Sequence, residues 1–323
     1  MMTQEEQLNN EGVKHFLNGE FKDAKVKYDQ ALEVKPDYAT ALNNLGMLWL
    51  QEKEFEKAAT CFEKANNTSE NATYILNLGH AYANRNMIKQ AEDCYRKSIE
   101  LDPNKLIAWK SLAALYQAQK RFVDSATIWN TIIENYSRDP EYKIQLAKDL
   151  INLKEFNNAL AVLHDAANYD KNIEVTCYYI ALVHFNNRNF GLALDAINKS
   201  MVVRPDENRF RLLAASIYLG LGQLDRAMMQ WDHILHMEAD NHKVRTDKAV
   251  ALLSHNYKDK ALKELDYVLL RDKDNIKARF YKALTLIEMK ARMDEARKIL
   301  ELLAGGEHAF TARVEQLLQT LRS

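Results

Sequence analysis

The chain has 323 residues, 28% of them charged, and a formal net charge of −1. That balance excludes the basic excess with which a nucleic-acid binder displaces counterions, and no polybasic or acidic tail is present. Three cysteines fit a reducing compartment, and the nine glycines build no phosphate-cradling loop.

The first residues, Met-Met-Thr-Gln-Glu-Glu-Gln, have no positive region followed by an apolar run. No stretch approaches the roughly 20 apolar residues of a membrane span. The expectation is a cytoplasmic chain with no signal peptide and no membrane span.

From there the sequence repeats itself. Ala24, Ala58, Ala91, Ser125, Ala159, Ala193, Ala227, Ala261 and Ala296 recur at intervals of 33 to 35 residues. A second small-residue series keeps step: Gly12, Gly46, Gly79, Ala113, Ala147, Ala181, Ala215 and Ala249, with Ala283 one place out of phase. Two such series locked at one period mean one supersecondary unit copied about nine times. The units span approximately 5–38, 39–71, 72–105, 106–139, 140–173, 174–207, 208–241, 242–276 and 277–304.

Each unit reads as two helices. In the second, Leu42, Leu45, Gly46 and Trp49 share one helix face, and Ala58, Phe62 and Ala65 follow on another. A Gly or Ala at a helix crossing lets ridges settle into grooves. Pro36, Pro103 and Pro205 fall just past second helices, and Pro140 opens the fifth unit. Cys61 and Cys94 take equivalent places on neighbouring second helices, too far apart to be bridged, and Cys177 reads as a small core residue.

In the fifth, seventh and eighth units Lys143, Arg211 and Arg245 stand where a large apolar residue is expected, so Tyr142, Phe210 and Val244 take over the packing. The steps of 33 and 35 residues read as changes in inter-helix turns. Gly305-Gly306 breaks the pattern, and residues 307–322, with Val314, Leu317, Leu318 and Leu321, form a capping helix. No Pro/Gly/Ser linker divides the array, so residues 1–323 read as a single domain.

The order large, small, aromatic, Ala, aromatic, Ala, Pro in Ile75, Gly79, Tyr82, Ala91, Tyr95, Ser98 (where Ala is usual) and Pro103 resembles the tetratricopeptide repeat (TPR) family. The resemblance runs from residue 5 to about 305. It implies an all-α, TPR-type helical-repeat solenoid, a right-handed superhelix of about nine helix-turn-helix units with the capping helix. It also implies that the first helix of each unit lines the concave inside.

Counted from each unit's start, the inward positions are 2, 5, 6, 9, 12 and 13. Early units present polar residues there: Asn10, Asn44 and Asn77, then Lys110. A row of amides can pair with the backbone of an extended peptide. Asn10, Asn44 and Asn77 resemble the asparagine ladder of O-linked N-acetylglucosamine transferases, whose catalytic domain is absent here. Later units present apolar residues: Ile144, Ile151, Tyr178, Tyr179, Leu182, Phe185, Leu212, Leu213 and Leu219. Phe280, Tyr281 and Ile287 add to them in the ninth unit. Such a face suits an amphipathic helix or a peptide with apolar anchors. The family's clamp for chaperone carboxyl termini is incomplete, because Asn9, Ile107 and Ser111 occupy its basic positions.

His233 and His236 share a helix face, but nothing else is arranged around them as metal ligands. No nucleophile elbow or HExxH motif occurs. The expected function is therefore a non-enzymatic scaffold or adaptor, without cofactor, metal or nucleic acid, that holds a peptide or amphipathic helix of a protein partner in its groove. Its alternative is a structural component that self-associates or joins a larger complex.

Overall fold

The computed structural model describes residues 2–169 and 173–321. Those residues form nineteen α-helices and no strand. The chain divides into two compact units, Met1–Asp170 and Lys171–Ser323.

The first unit holds five helix pairs: α1 (Gln4–Leu17) and α2 (Phe21–Val34), α3 (Ala39–Gln51) and α4 (Phe55–Thr68), α5 (Ala72–Asn84) and α6 (Ile88–Leu101), α7 (Leu106–Ala118) and α8 (Phe122–Asn135), α9 (Pro140–Asn152) and α10 (Phe156–Ala167). The second holds α11 (Ile173–Asn186) and α12 (Phe190–Val203), α13 (Asn208–Gly220) and α14 (Leu224–Met237), α15 (His242–Ser254) and α16 (Lys258–Arg271), α17 (Ile276–Glu288) and α18 (Met293–Ala304), then α19 (Thr311–Thr320). Within each unit every helix packs on the next. The odd-numbered helices through α17 are called inner below and their partners outer.

The two small-residue series mark the crossings within pairs. All nine residues of the first series are fully buried. Gly12, Gly46 and Gly79 lie under the rings of Tyr28, Phe62 and Tyr95, where an added Cβ would come within 2.6 Å of a ring carbon. Where the second-helix residue is aliphatic, Ala suffices: Ala249 shares a core cluster with Leu265, and Ala283 with Leu300. In the first three pairs the glycine thus makes room for the aromatic ring of the second helix.

Turns within pairs carry a third periodicity. Eight of them are three residues long with the middle residue left-handed: Gly19, Lys53, Asn86, Lys120, Lys154, Arg188, Gly222 and Asn256. Each closes with a backbone N–H returning to the carbonyl five residues back, as Glu54 does to Trp49 at 2.8 Å. The two irregular steps lie in different places. The 33-residue step shortens the α4–α5 junction to residues 69–71, where Asn71 caps α5 by accepting from the Thr73 N–H at 2.8 Å. The 35-residue step lengthens the α17–α18 turn, in which both Lys290 and Arg292 are left-handed.

Tyr142, Phe210 and Val244 are buried, as the basic residues beside them required. Those basic side chains run across to the outer helix of their own pair. Lys143 pairs with Asp165 at 2.5 Å, Arg211 donates to Gln230 at 2.9 Å, and Arg245 pairs with Glu264 at 2.7 Å.

The cap begins later than the sequence suggests. Residues 307–310 form a turn in which the His308 ring bonds the Leu303 carbonyl at 3.0 Å, and α19 starts at Thr311. Phe310 stacks on Phe280 at 4.3 Å and meets Tyr281 edge-on. Phe280 is thus buried under the cap, while Tyr281 and Ile287 are half-buried and pack against the same core. Packing against Val314, Leu318 and Leu321 covers an apolar end that would otherwise meet water.

Candidate peptide-binding faces

In the first unit, polar side chains join each inner helix to the next. Asn44 Nδ2 donates to Asn9 Oδ1 at 2.9 Å, tying α3 to α1. Asn77 Nδ2 donates to Asn43 Oδ1 at 2.8 Å, tying α5 to α3. His80 Nε2 and Ser111 Oγ lie 2.9 Å apart across α5 and α7, and Gln117 Nε2 donates to Asp149 Oδ1 at 2.8 Å across α7 and α9.

The predicted amide row divides accordingly. Asn77 is buried, Asn44 half-buried and Asn10 exposed. The neighbour of Asn10, Asn9, is the residue that enters the seam. Asn43 and Asn44 also face each other, with an N–O distance of 3.4 Å. A period of 34 placed these helices correctly, but a one-residue difference on a helix turns a side chain by about 100°, which periodicity alone did not resolve.

Farther along, Lys110, Ser111, Ala114, Gln117, Trp129, Glu141, Tyr142 and Gln145 line a cavity of about 300 Å³. Trp129 and Tyr142 lie parallel at 6.0 Å, and Lys110 Nζ sits 5.6 Å from the centre of the Tyr142 ring. Beside the cavity Asp149 is almost fully buried. Burial pushes its carboxyl above the usual range, while Ser125, Gln117, Lys148 and Trp129 act in the opposite direction. Asp149 Oδ2, Ser125 Oγ and Trp129 Nε1 nevertheless complete no short hydrogen bond. Trp129 was not among the predicted site residues, because it stands on an outer helix. Ala114, a small residue on the inner helix, lines the same cavity. Ile144, predicted to face a partner, is buried.

In the second unit, Tyr178, Tyr179, Leu182, Phe185 and Leu212 are all half-buried. The two tyrosine rings meet edge-on at 5.1 Å, and burial raises both hydroxyl pKa values. Tyr178 also packs on Phe210 at 5.5 Å, and Phe185 on Phe190 at 5.8 Å. Leu212 and Leu219 rest on the core cluster around Ala215 and Trp231, and Leu213 is buried. The row is therefore partly a packing surface and partly open.

His233 bonds Asp206 at 3.0 Å. Cys61, Cys94 and Cys177 form no disulfide among the described residues, and burial pushes the Cys94 thiol pKa up to about 11. No described helix is long and apolar enough to cross a membrane.

Family models described as tetratricopeptide repeat match residues 12–71, 72–105 and 178–232. The chain belongs to the tetratricopeptide repeat family. It is 27% identical over 246 residues to mouse (Mus musculus) Superkiller complex protein 3, covering 71% of this chain and 15% of that protein. It is 24% identical over 175 residues to mouse DnaJ homolog subfamily C member 7, covering 50% of this chain and 35% of that one. The chain thus spans well under half the length of either relative. Among solved structures, the C-terminal part of a TPR repeat-containing protein from Cytophaga hutchinsonii superposes with a TM-score of 0.60 at 16% identity, covering 72% of this chain and 96% of that one. The TPR fold supports a general role as a protein–protein interaction scaffold.

Proposed function

We propose that this TPR chain is an adaptor that holds a peptide or amphipathic helix of a partner protein against its inner helices. The cavity over Trp129 is the observation that carries this reading. An aromatic floor with amide, hydroxyl and ammonium walls offers both apolar contact and orienting hydrogen bonds, the usual make-up of a recognition pocket. Its volume of about 300 Å³ suits one large side chain. In the second unit the half-buried row from Tyr178 to Leu212 supports the same reading, because tyrosines combine large contact area with a polar handle.

Capture of partners from native lysate tests it. The wild type is run beside Ala114→Trp, which fills the cavity, and beside the Tyr179→Ala/Phe185→Ala pair. Loss of a partner with either variant supports the reading and assigns the face. Retention of every partner by both contradicts it.

Self-association is favoured by a separate observation. Val202, Met237 and Leu270, near the ends of outer helices α12, α14 and α16, are 83%, 65% and 73% exposed. Light scattering over a concentration series decides: a mass that rises with concentration supports assembly, and a constant monomer mass excludes it.

A further inference from the structure

Two glutamines line the Trp129 cavity, Gln117 on α7 and Gln145 on α9. Each amide is held at one end. Gln117 Nε2 donates to Asp149 Oδ1 at 2.8 Å, and Gln145 Oε1 accepts from Lys148 Nζ at 3.0 Å. An ionised carboxylate has no hydrogen to give and an ammonium no lone pair to offer, so these partners fix which way round each amide lies. The other ends, Gln117 Oε1 and Gln145 Nε2, have no hydrogen-bond partner among the described residues.

Both glutamines are half-buried, and Asp149, which holds Gln117, is almost fully buried. Partners on the protein's own helices reduce the rotamer freedom that a glutamine loses when it binds something else. The cavity therefore offers one acceptor and one donor that are set before a ligand arrives.

Its charges favour neither sign. Lys110 and Glu141 line it, and Lys148 and Asp149 hold the two glutamines. A cationic anchor would meet two ammonium groups, and an anionic one two carboxylates. The complementary group is neutral and carries both an N–H and a C=O, as a carboxamide does. A volume of about 300 Å³ is room for a whole side chain.

We infer that the Trp129 cavity selects a glutamine or asparagine side chain of the bound peptide, whose N–H donates to Gln117 Oε1 and whose C=O accepts from Gln145 Nε2. The inference rests on the reading that the first unit's inner helices bind peptide, and names the side chain they prefer. A nucleobase edge also combines donors with acceptors, but a bound base needs an open ring face to stack on. Trp129 and Tyr142 are only 4% and 9% exposed, and balanced charges give phosphates no net attraction.

The test is selection from a displayed random peptide library on the full chain, with the wild type beside Gln145→Glu. That substitution keeps an acceptor for Lys148 and removes the unused donor, and circular dichroism reports whether the variant is folded. The expected result is wild-type enrichment of Gln or Asn at one position. Gln145→Glu is expected to bind the best such peptide about tenfold more weakly, and to enrich Lys or Arg at that position, because both walls then accept. Changing the selected carboxamide of the peptide to Leu or to a carboxylate is expected to cost about tenfold on the wild type, a measurement that stands even if the variant unfolds. Peptides enriched without a Gln or Asn preference, or a preference that folded Gln145→Glu leaves unchanged, would overturn the carboxamide selection and leave peptide binding standing. Enrichment of no peptide would overturn both. Tighter binding of single-stranded oligouridylate than of any selected peptide would overturn the partner class.

Discussion

The Asn44 amide donates to Asn9 across 35 residues of sequence at 2.9 Å, and Asn77 does the same to Asn43 at 2.8 Å. The asparagines of the first unit thus hold successive inner helices in register. Asn77→Ala leaves Asn43 Oδ1 buried without its donor, and a loss of about 1–3 kcal/mol is expected. Asn10→Ala, at an exposed position outside the seam, is expected to change stability by no more than about 0.5 kcal/mol. Urea midpoints of the two variants check the contrast.

Gly46→Ala brings a Cβ to 2.6 Å from the Phe62 ring. Overpacking of this kind costs about 1–3 kcal/mol. The paired change Gly46→Ala/Phe62→Leu is expected to recover part of the loss, since Ala with an aliphatic partner is the arrangement at Ala249 and Leu265. A double-mutant cycle in urea reads the coupling.

Lys154 closes its turn with φ at 61°. A non-Gly residue there carries a cost of about 1–2 kcal/mol, of which glycine's extra unfolded-state entropy takes back about 0.5–1. Lys154→Gly is therefore expected to raise the denaturation midpoint modestly, by about 0.5–1 kcal/mol in stability terms. A lower midpoint would contradict the turn assignment.

Burial raises Asp149 above its ordinary value of 3.8. The native state then holds that proton more tightly than the unfolded chain does, so this residue's contribution to stability falls as pH rises from 3.8 through the raised pKa. Asp149→Asn removes the titration and keeps an acceptor for Gln117. Relative to wild type, the variant is expected to gain stability with rising pH over that window and to gain no more above it. Parallel urea titrations at stepped pH measure the difference.

The repeat, its helix pairs and the packing substitutes Tyr142, Phe210 and Val244 were legible because small and large apolar residues recur in phase. The left-handed turn positions were hidden, since only Gly19 and Gly222 carry glycine and Lys or Arg fills four of the others. The inner face was less legible than the core. Asn9 and Asn10 are adjacent, and only packing decides which one enters the seam. Phe280 looked available until Phe310, thirty residues on, stacked against it. Trp129 was missed because it stands on an outer helix, and only the fold brings it to the cavity lined by Ala114 and Tyr142.

Site-specific photo-crosslinking in native lysate is the most direct measurement. A photoreactive residue is placed at Ser111 or Ser216 on inner helices, and at Thr127 or the exposed Met229 on outer helices. Partner adducts from Ser111 or Ser216, with none from Thr127 or Met229, are the expected result. Adducts from the outer positions alone would contradict recognition by the inner helices.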